Sequence, residues 1–323
     1  MKKRVFSLII AALMTVGFAS CEKVIEFNGD ITDPYIVVLS QPEADSTWML
    51  RVSQSRFFLS SATIPEINNA QVQFTVNGIT AVNLAIYESD GTYNTGIIPQ
   101  PGDSLELRVN VPNRGEVTAA CRIPQRPAVS DFRIEYDTTI YEYTWEYQDS
   151  TYVERNLSGD LELHFKINDP ATEHNYYMVR LALKYNMEWY YRWISVDDNI
   201  LFDIDATNEV FGFNDDEPSS GNYVLFTDER INGRNHPTSV RINISHIFEY
   251  TYLDNLNEEF HRYPARLEVY SISRDLYLYL KTLRAAGDQD EFTQILSEPV
   301  QVHTNINGGI GVLGASAKTV INF

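Results

Sequence analysis

From Tyr35 to Ile123 apolar and polar residues alternate in short runs, the period of half-buried strands rather than the 3.6-residue period of helices. The runs are Tyr35–Ser40, Trp48–Ser53, Val72–Val76, Ala81–Tyr87, Ser104–Val109 and Val117–Ile123. Asn77-Gly78 between two of them is a strong hairpin signal, and Asp90-Gly91 and Pro101-Gly102-Asp103 mark further turns. About a hundred residues patterned in this way predict a β-sandwich of immunoglobulin-like size. Pro124-Gln-Arg-Pro127 breaks the pattern and is the expected boundary between an N-terminal β-sandwich domain, residues 35–125, and a C-terminal β-rich domain, residues 126–323.

The second half opens with an aromatic, acidic stretch, Tyr136–Tyr152, followed by strand-like Leu161–Ile167. A long period-2 run then puts Tyr177, Val179, Leu181, Leu183, Tyr185, Met187, Trp189, Tyr191 and Trp193 on one face. A straight strand of that length would exceed about 50 Å, so a bend or a hairpin is expected near Asn186. Alternation with Glu188, Tyr190 and Arg192 points Trp189, Tyr191 and Trp193 into the core; exposed, the same stripe would be a stacking platform for sugar or peptide. Further strands are expected at Tyr223–Phe226, Val240–Ile247, Arg266–Ser271 and Thr319–Phe323. One helix is predicted near residues 274–286, with Ser273 as N-cap, Leu276, Leu280 and Leu283 as its apolar stripe, and Gly287 at its end. The fold class is therefore mainly β, two β-sandwich-like domains and one helix.

The first residues follow a different logic. Lys2, Lys3 and Arg4 precede an apolar run, Val5–Phe18, too short to span a bilayer, and Ala19-Ser20 leads to Cys21. Residues 1–20 read as a signal peptide ending in a lipobox, with Cys21 as the lipidated residue. Two or more acyl chains give stable anchoring, so the chain would be held in a membrane at Cys21 with residues 21–34 as a tether. An ordinary secretory signal with a nearby cysteine is the plainer alternative.

Composition narrows the partners. The formal charge is −19, and removing Lys2, Lys3 and Arg4 takes it to −22, so nucleic acid and anionic membrane surfaces are repelled. With Cys21 lipidated, Cys121 has no partner for a disulfide and reads as a small buried thiol.

Candidate chemistry is sparse. Gly309-Ile-Gly-Val-Leu-Gly314 matches the dinucleotide fingerprint by letter, but that motif needs a following helix and an acidic residue about twenty positions on. Here a glycine turn leading into the last strand is expected. The histidines are scattered without a zinc-binding pair, and no nucleophile elbow is present. Asp203, Asp205, Asp215 and Asp216 are weak calcium candidates: read as an EF-hand, Asn208 stands where glycine is needed and Asn214 where glutamate is needed, which leaves solvated acidic loops as the simpler account. Ser46, Ser104, Thr138 and Ser150 sit in Asp-Ser/Thr triplets that resemble an O-glycosylation acceptor. Loops from Asp197 to Glu217 and a glycine segment with Gly308, Gly309, Gly311 and Gly314 are the expected interaction surfaces. With no nucleophile, base or metal constellation, the sequence points to a non-enzymatic protein without a cofactor.

The C-terminal third brings a resemblance. Leu267–Leu280, Ser297-Glu-Pro-Val300 and Asn305–Gly314, with Cys21–Glu26, Asp33-Pro34 and the Pro101-Gly102-Asp103 turn, resemble a Bacteroidota family of outer-membrane lipoproteins known only as a domain of unknown function. Members of that family are typically encoded beside TonB-dependent receptors. The resemblance implies a surface-facing outer-membrane location and a TonB-dependent outer-membrane receptor as partner, and it carries no catalytic residues. Glu22, Glu26 and Asp30 are a partial match to its surface-export signal. A stand-alone glycan- or protein-binding module is the alternative from a different class.

Overall fold

The computed structural model describes residues 33–57, 63–80, 85–147, 150–196, 201–202, 222–244, 248–250, 260–287 and 300–323. The first half holds β1 (Ile36–Ser40), β2 (Met49–Gln54), β3 (Gln71–Val76), β4 (Ile79–Thr80), β5 (Ile86–Tyr87), β6 (Thr92–Asn94), β7 (Ser104–Val111) and β8 (Gly115–Arg122). The second half continues with β9 (Ala128–Tyr147), β10 (Ser150–Asn168), β11 (Tyr176–Tyr185), β12 (Glu188–Arg192), β13 (Val224–Thr227), β14 (Asn235–Asn243), β15 (Phe248–Tyr250), β16 (Phe260–Arg262) and β17 (Ala265–Ile272). Helix α1 (Arg274–Gly287), β18 (Ile310–Leu313) and β19 (Ser316–Asn322) complete the described elements. The fold is thus mostly β, with sandwich-like sheet pairs and one α-helix among the described residues.

The expected alternation builds the first sandwich. In β7, Leu105, Leu107, Val109 and Val111 are buried and the residues between them are exposed. The four-stranded sheet β4-β3-β7-β8 faces the five-stranded sheet β18-β1-β2-β6-β5 across this core. Asn77 and Gly78, at φ 52° and 78°, turn β3 into β4 as the sequence predicts. Trp48 is fully buried and has a partner for its polar atom, donating from Nε1 to Ser40 Oγ at 2.8 Å.

One strand of this sandwich comes from the far end of the chain. β18 pairs in parallel with β1, placing Val38 opposite Gly311 and Leu39 opposite Val312. Leu313, Ala315 and Ala317 join Val38 and Trp48 in the first core. Of the glycine turn expected at 309–314, Ile310–Leu313 is a strand that the turn at Gly308-Gly309 leads into, and the glycines have steric causes. A Cβ on Gly311 would stand 2.0 Å from the Val38 carbonyl oxygen, and one on Gly314 would stand 2.6 Å from Leu276 Cβ of α1. No room is left for side chains where backbone meets backbone and helix.

In the second half, the sheet β14-β10-β9 packs on the sheet β12-β11-β17-β19, with β13 beside the start of β11. Leu161, Leu163, Phe165 and Ile167 from one sheet meet Tyr177, Val179, Leu181, Leu267 and Val269 from the other. Helix α1 covers the outer face of the second sheet, laying Leu276, Tyr277 and Leu280 against Met178, Tyr270 and Ile272. Its cap is the expected one: the Leu276 and Ala315 amides both donate to Ser273 Oγ, at 3.3 and 3.0 Å.

The aromatic stripe departs from expectation. The run does fold into a hairpin, with Asn186 and Met187 at φ 47° and 72°. A two-residue loop pairs Tyr185 with Glu188 and Leu183 with Tyr190, so residue parity inverts across it. Trp189 and Tyr191 therefore stand on the face opposite Leu181 and Leu183, and Trp193 is 41% exposed. Guanidinium groups cover the first two rings: Arg180 Cζ lies 3.2 Å from the Tyr191 centroid and Arg266 Cζ lies 4.1 Å from that of Trp189.

Candidate functional site

The feature least explained by stability is the far end of the β9–β10 hairpin. Strand β14 accompanies β10 only from Asp160 to Asn168, whereas the β9–β10 ladder continues from there to Tyr147 and Ser150. The outer part is a two-stranded arm, an arrangement that is only marginally stable alone in water. Gly159 marks its root: at φ 129° it approaches β9 so closely that a Cβ would fall 2.1 Å from the Asp137 carbonyl oxygen. Tyr141, Tyr143 and Trp145 alternate along β9, so all three stand on one face of the arm, at 49%, 55% and 48% exposure. Ile140 projects from the opposite face and is also exposed. Asp137, Glu142 and Glu146 make the same strand acidic.

A groove of about 570 Å³ lies between α1 and the start of β11. Arg274, Tyr277 and Lys281 recur at helical spacing on one side of α1; Tyr176, Phe202 and Arg230 stand on the other walls, and Glu229 is the one carboxylate among the described lining residues. Tyr176 and Tyr277 lie 5.1 Å apart between ring centroids. Two buried aspartates brace the neighbouring backbone, Asp228 beside the groove and Asp169 on the opposite face of β11. Asp228, at the start of a 3-10 turn that ends in Arg230, accepts from the Asn175 amide at 2.8 Å. Asp169 accepts from the Tyr177 hydroxyl at 2.5 Å and from the Gly233 amide at 2.8 Å. Burial, then the Asp169 carboxylate, drives the Tyr177 phenol well above its ordinary range.

A third polar centre surrounds Glu268, which is fully buried. It accepts from Tyr270 at 2.5 Å and Tyr191 at 3.1 Å, and Arg266 Nε lies 2.7 Å from its other oxygen. Lys318 Nζ is 3.6 Å from Glu268 and 3.0 Å from Glu43, so this ion network ties β17 and β19 to the first sandwich. Arg126 strengthens the same joint, pairing with Asp45 and donating to the Lys318 carbonyl at 2.8 Å. Its role is mechanical, since each charge is answered from within the protein.

The expected site residues are scattered. Cys21 and the calcium candidates Asp203, Asp205, Asp215 and Asp216 lie outside the described residues, as does most of the Asp197–Glu217 loop. Gly308 is exposed, but Gly309 and Gly311 lie against β1 and Gly314 is buried under α1. Ser46 and Ser104 are exposed, Thr138 is half-buried in the arm, and Ser150 opens β10. Glu135, Glu162 and His164 bring ligand atoms within 4.8 Å of one another on the outer face of the β9–β10 ladder. Arg133 donates to Glu135 at 3.0 Å and holds its carboxyl below the usual range, the arrangement of a surface charge ladder. Burial pushes the Cys121 thiol up to about 12, so it is protonated and unreactive at neutral pH.

Neither the arm nor the groove was identified in the sequence. The arm carries Thr-Thr-Ile-Tyr-Glu-Tyr-Thr-Trp, rich in strand formers. The groove joins residues from positions 176, 202, 230 and 274–281, which no local pattern connects.

Among curated proteins no match is found. Among solved structures, a putative membrane anchored protein from Corynebacterium diphtheriae aligns at 12% identity over 75% of this chain and 55% of that one, with a TM-score of 0.22. The chain thus spans about half of that protein, and a likeness this slight carries no inference about fold or function. The family model described as Domain of unknown function (DUF4249) matches residues 22–322, and the chain belongs to that family.

Proposed function

We propose that this protein is a surface-exposed outer-membrane lipoprotein, anchored through Cys21, that acts without catalysis as an accessory or ligand-binding partner of a TonB-dependent transporter. The carrying observation is the β9–β10 arm, a two-stranded ribbon whose Tyr141, Tyr143 and Trp145 face water in a row. Large rings in a contiguous exposed patch are characteristic of protein contact surfaces. Asp137, Glu142 and Glu146 favour a basic rim on the partner and disfavour pairing with a second acidic arm. The signal sequence and the family resemblance support the location and the partner class.

The test compares wild type with Tyr141→Ser/Tyr143→Ser/Trp145→Ser by affinity purification from detergent-solubilised outer membranes. The wild type is expected to recover a β-barrel receptor and the variant to lose it with an unchanged melting temperature. Recovery of no barrel protein by the wild type, in cells that express the gene, overturns the transporter reading. The same aromatic row favours a second reading, a stand-alone glycan-binding module, because rings on a flat ribbon can stack on sugars. Retention of wild-type protein by a polysaccharide matrix, lost in the triple variant and without barrel recovery, would select it.

A further inference from the structure

We infer that the groove between α1 and the start of β11 is a binding site for a small oxyanion, carboxylate or phosphate ester, that carries an aromatic ring. The site goes beyond the transporter reading and uses none of the arm's residues.

Charge is the first observation. The chain has 44 acidic against 25 basic residues, yet among the described lining residues of this groove Arg230, Arg274 and Lys281 stand against one carboxylate, Glu229. That balance among the described lining residues runs against the composition of the chain and favours an anion over a cation.

The second observation is pairing. Arg108, Arg126, Arg133 and Arg266 each have a carboxylate partner within the protein. Arg51, Arg114, Arg122, Arg180, Arg192 and Arg234 have none among the described residues, so what sets a site apart is two open guanidinium groups on one cavity. Neither Arg230 nor Arg274 forms an ion pair with any described residue, although Glu229 lines the same groove. Two guanidinium forks left open on one cavity match the planar oxygens of a carboxylate or phosphate. Arg274 is also the first residue of α1, where the helix dipole adds to the attraction.

Shape supplies the third. The groove's volume, about 570 Å³, falls in the range of small-molecule sites. Phe202 and the Tyr176–Tyr277 pair give it flat apolar walls, and Phe202 is itself wedged edge-on against Phe226 at 5.1 Å. Rings on the walls and cations at the rim select a ligand with a planar apolar body and a charged end. The walls are preorganised: Asp228 fixes the Arg230 turn and Ser273 caps the helix that carries Arg274 and Tyr277.

Calorimetric titration of the full detergent-solubilised protein with phenyl phosphate and with phenylacetate tests the site, and phenylacetamide serves as the neutral control. Binding of at least one anion is expected, about tenfold or more tighter than the amide, and Arg230→Gln/Arg274→Gln is expected to weaken it by about tenfold or more. Which anion binds distinguishes a phosphate ester from a carboxylate ligand. Arg108→Gln, on the first sandwich, should leave affinity unchanged. If the double variant is unfolded by circular dichroism, each single substitution is titrated in its place. Absence of binding by both anions at millimolar concentration, equal affinity for the amide, or affinity that survives loss of both arginines overturns the inference.

Discussion

Gly311 lies so close to Val38 in the neighbouring parallel strand that a Cβ at position 311 would stand 2.0 Å from the Val38 carbonyl oxygen. Gly311 also has φ +116°, a conformation that side chains disfavour. Gly311→Ala must therefore strain its own backbone and push β18 from β1, opening the first core at Val312 and Leu313. A loss of about 2–4 kcal/mol is expected by denaturant unfolding. Gly78→Ala is the comparison: its φ is +78° but a Cβ there meets nothing within 4 Å. Its cost should be about 1 kcal/mol. Equal costs would show that close approach to Val38 is unimportant.

The parallel pair also shows where sequence reading stops. Leu105, Leu107, Val109 and Val111 declare their strand by alternation, and Ser273 and Gly287 declare the ends of a helix, because each signal is local. The pairing of Val38 with Gly311 joins residues at opposite ends of the chain, and in the sequence the glycines resemble a loop. The Trp189 and Tyr191 stripe misleads for a geometric reason: period-2 alternation is continuous through Asn186-Met187, but the two-residue turn inverts the face. The arm is hidden differently. Tyr141, Tyr143 and Trp145 alternate with Glu142, Thr144 and Glu146 as in a half-buried strand, but both faces here meet water, which the period does not report.

Cys121 is half-buried in β8, and burial, followed by the Asp275 carboxylate, pushes its thiol up to about 12. Only the thiolate attacks disulfide reagents. In a Cys21→Ala background, Cys121 is expected to react with an aromatic disulfide far more slowly in the native protein at pH 8 than in denaturant. Absorbance of the released thiolate reports both rates. Comparable rates would mean that the thiol is accessible and ionisable, contrary to its position.

His236 on β14 is half-buried opposite Ile167, and burial lowers its pKa from 6.5. The folded state thus favours the neutral ring more than the unfolded state does. Its contribution to stability is complete above 6.5 and is lost as pH falls below that value toward the lowered folded pKa. The melting temperature should fall between pH 7 and pH 5, and His236→Gln should flatten that part of the profile while leaving the alkaline side unchanged. An identical acid slope in the variant would assign the loss to other groups.

The last prediction concerns the membrane. Among the described residues no helix is long and apolar enough to cross a bilayer. Val5–Phe18 is also shorter than the roughly 20 apolar residues a spanning helix needs. If attachment depends on acyl chains at Cys21, Cys21→Ala removes the sulfur that would carry diacylglycerol, and each buried methylene lost weakens attachment by about 0.8 kcal/mol. The variant should move from the membrane fraction to the soluble fraction after a carbonate wash, and mass spectrometry of the wild type should find diacylglycerol on Cys21. An arm docked on a membrane receptor could hold some variant protein in place, so Cys21→Ala is also combined with the Tyr141→Ser/Tyr143→Ser/Trp145→Ser set. Release only in the combined variant would mean that the arm also holds the protein at the membrane. Retention of the combined variant after the wash would refute the lipid anchor.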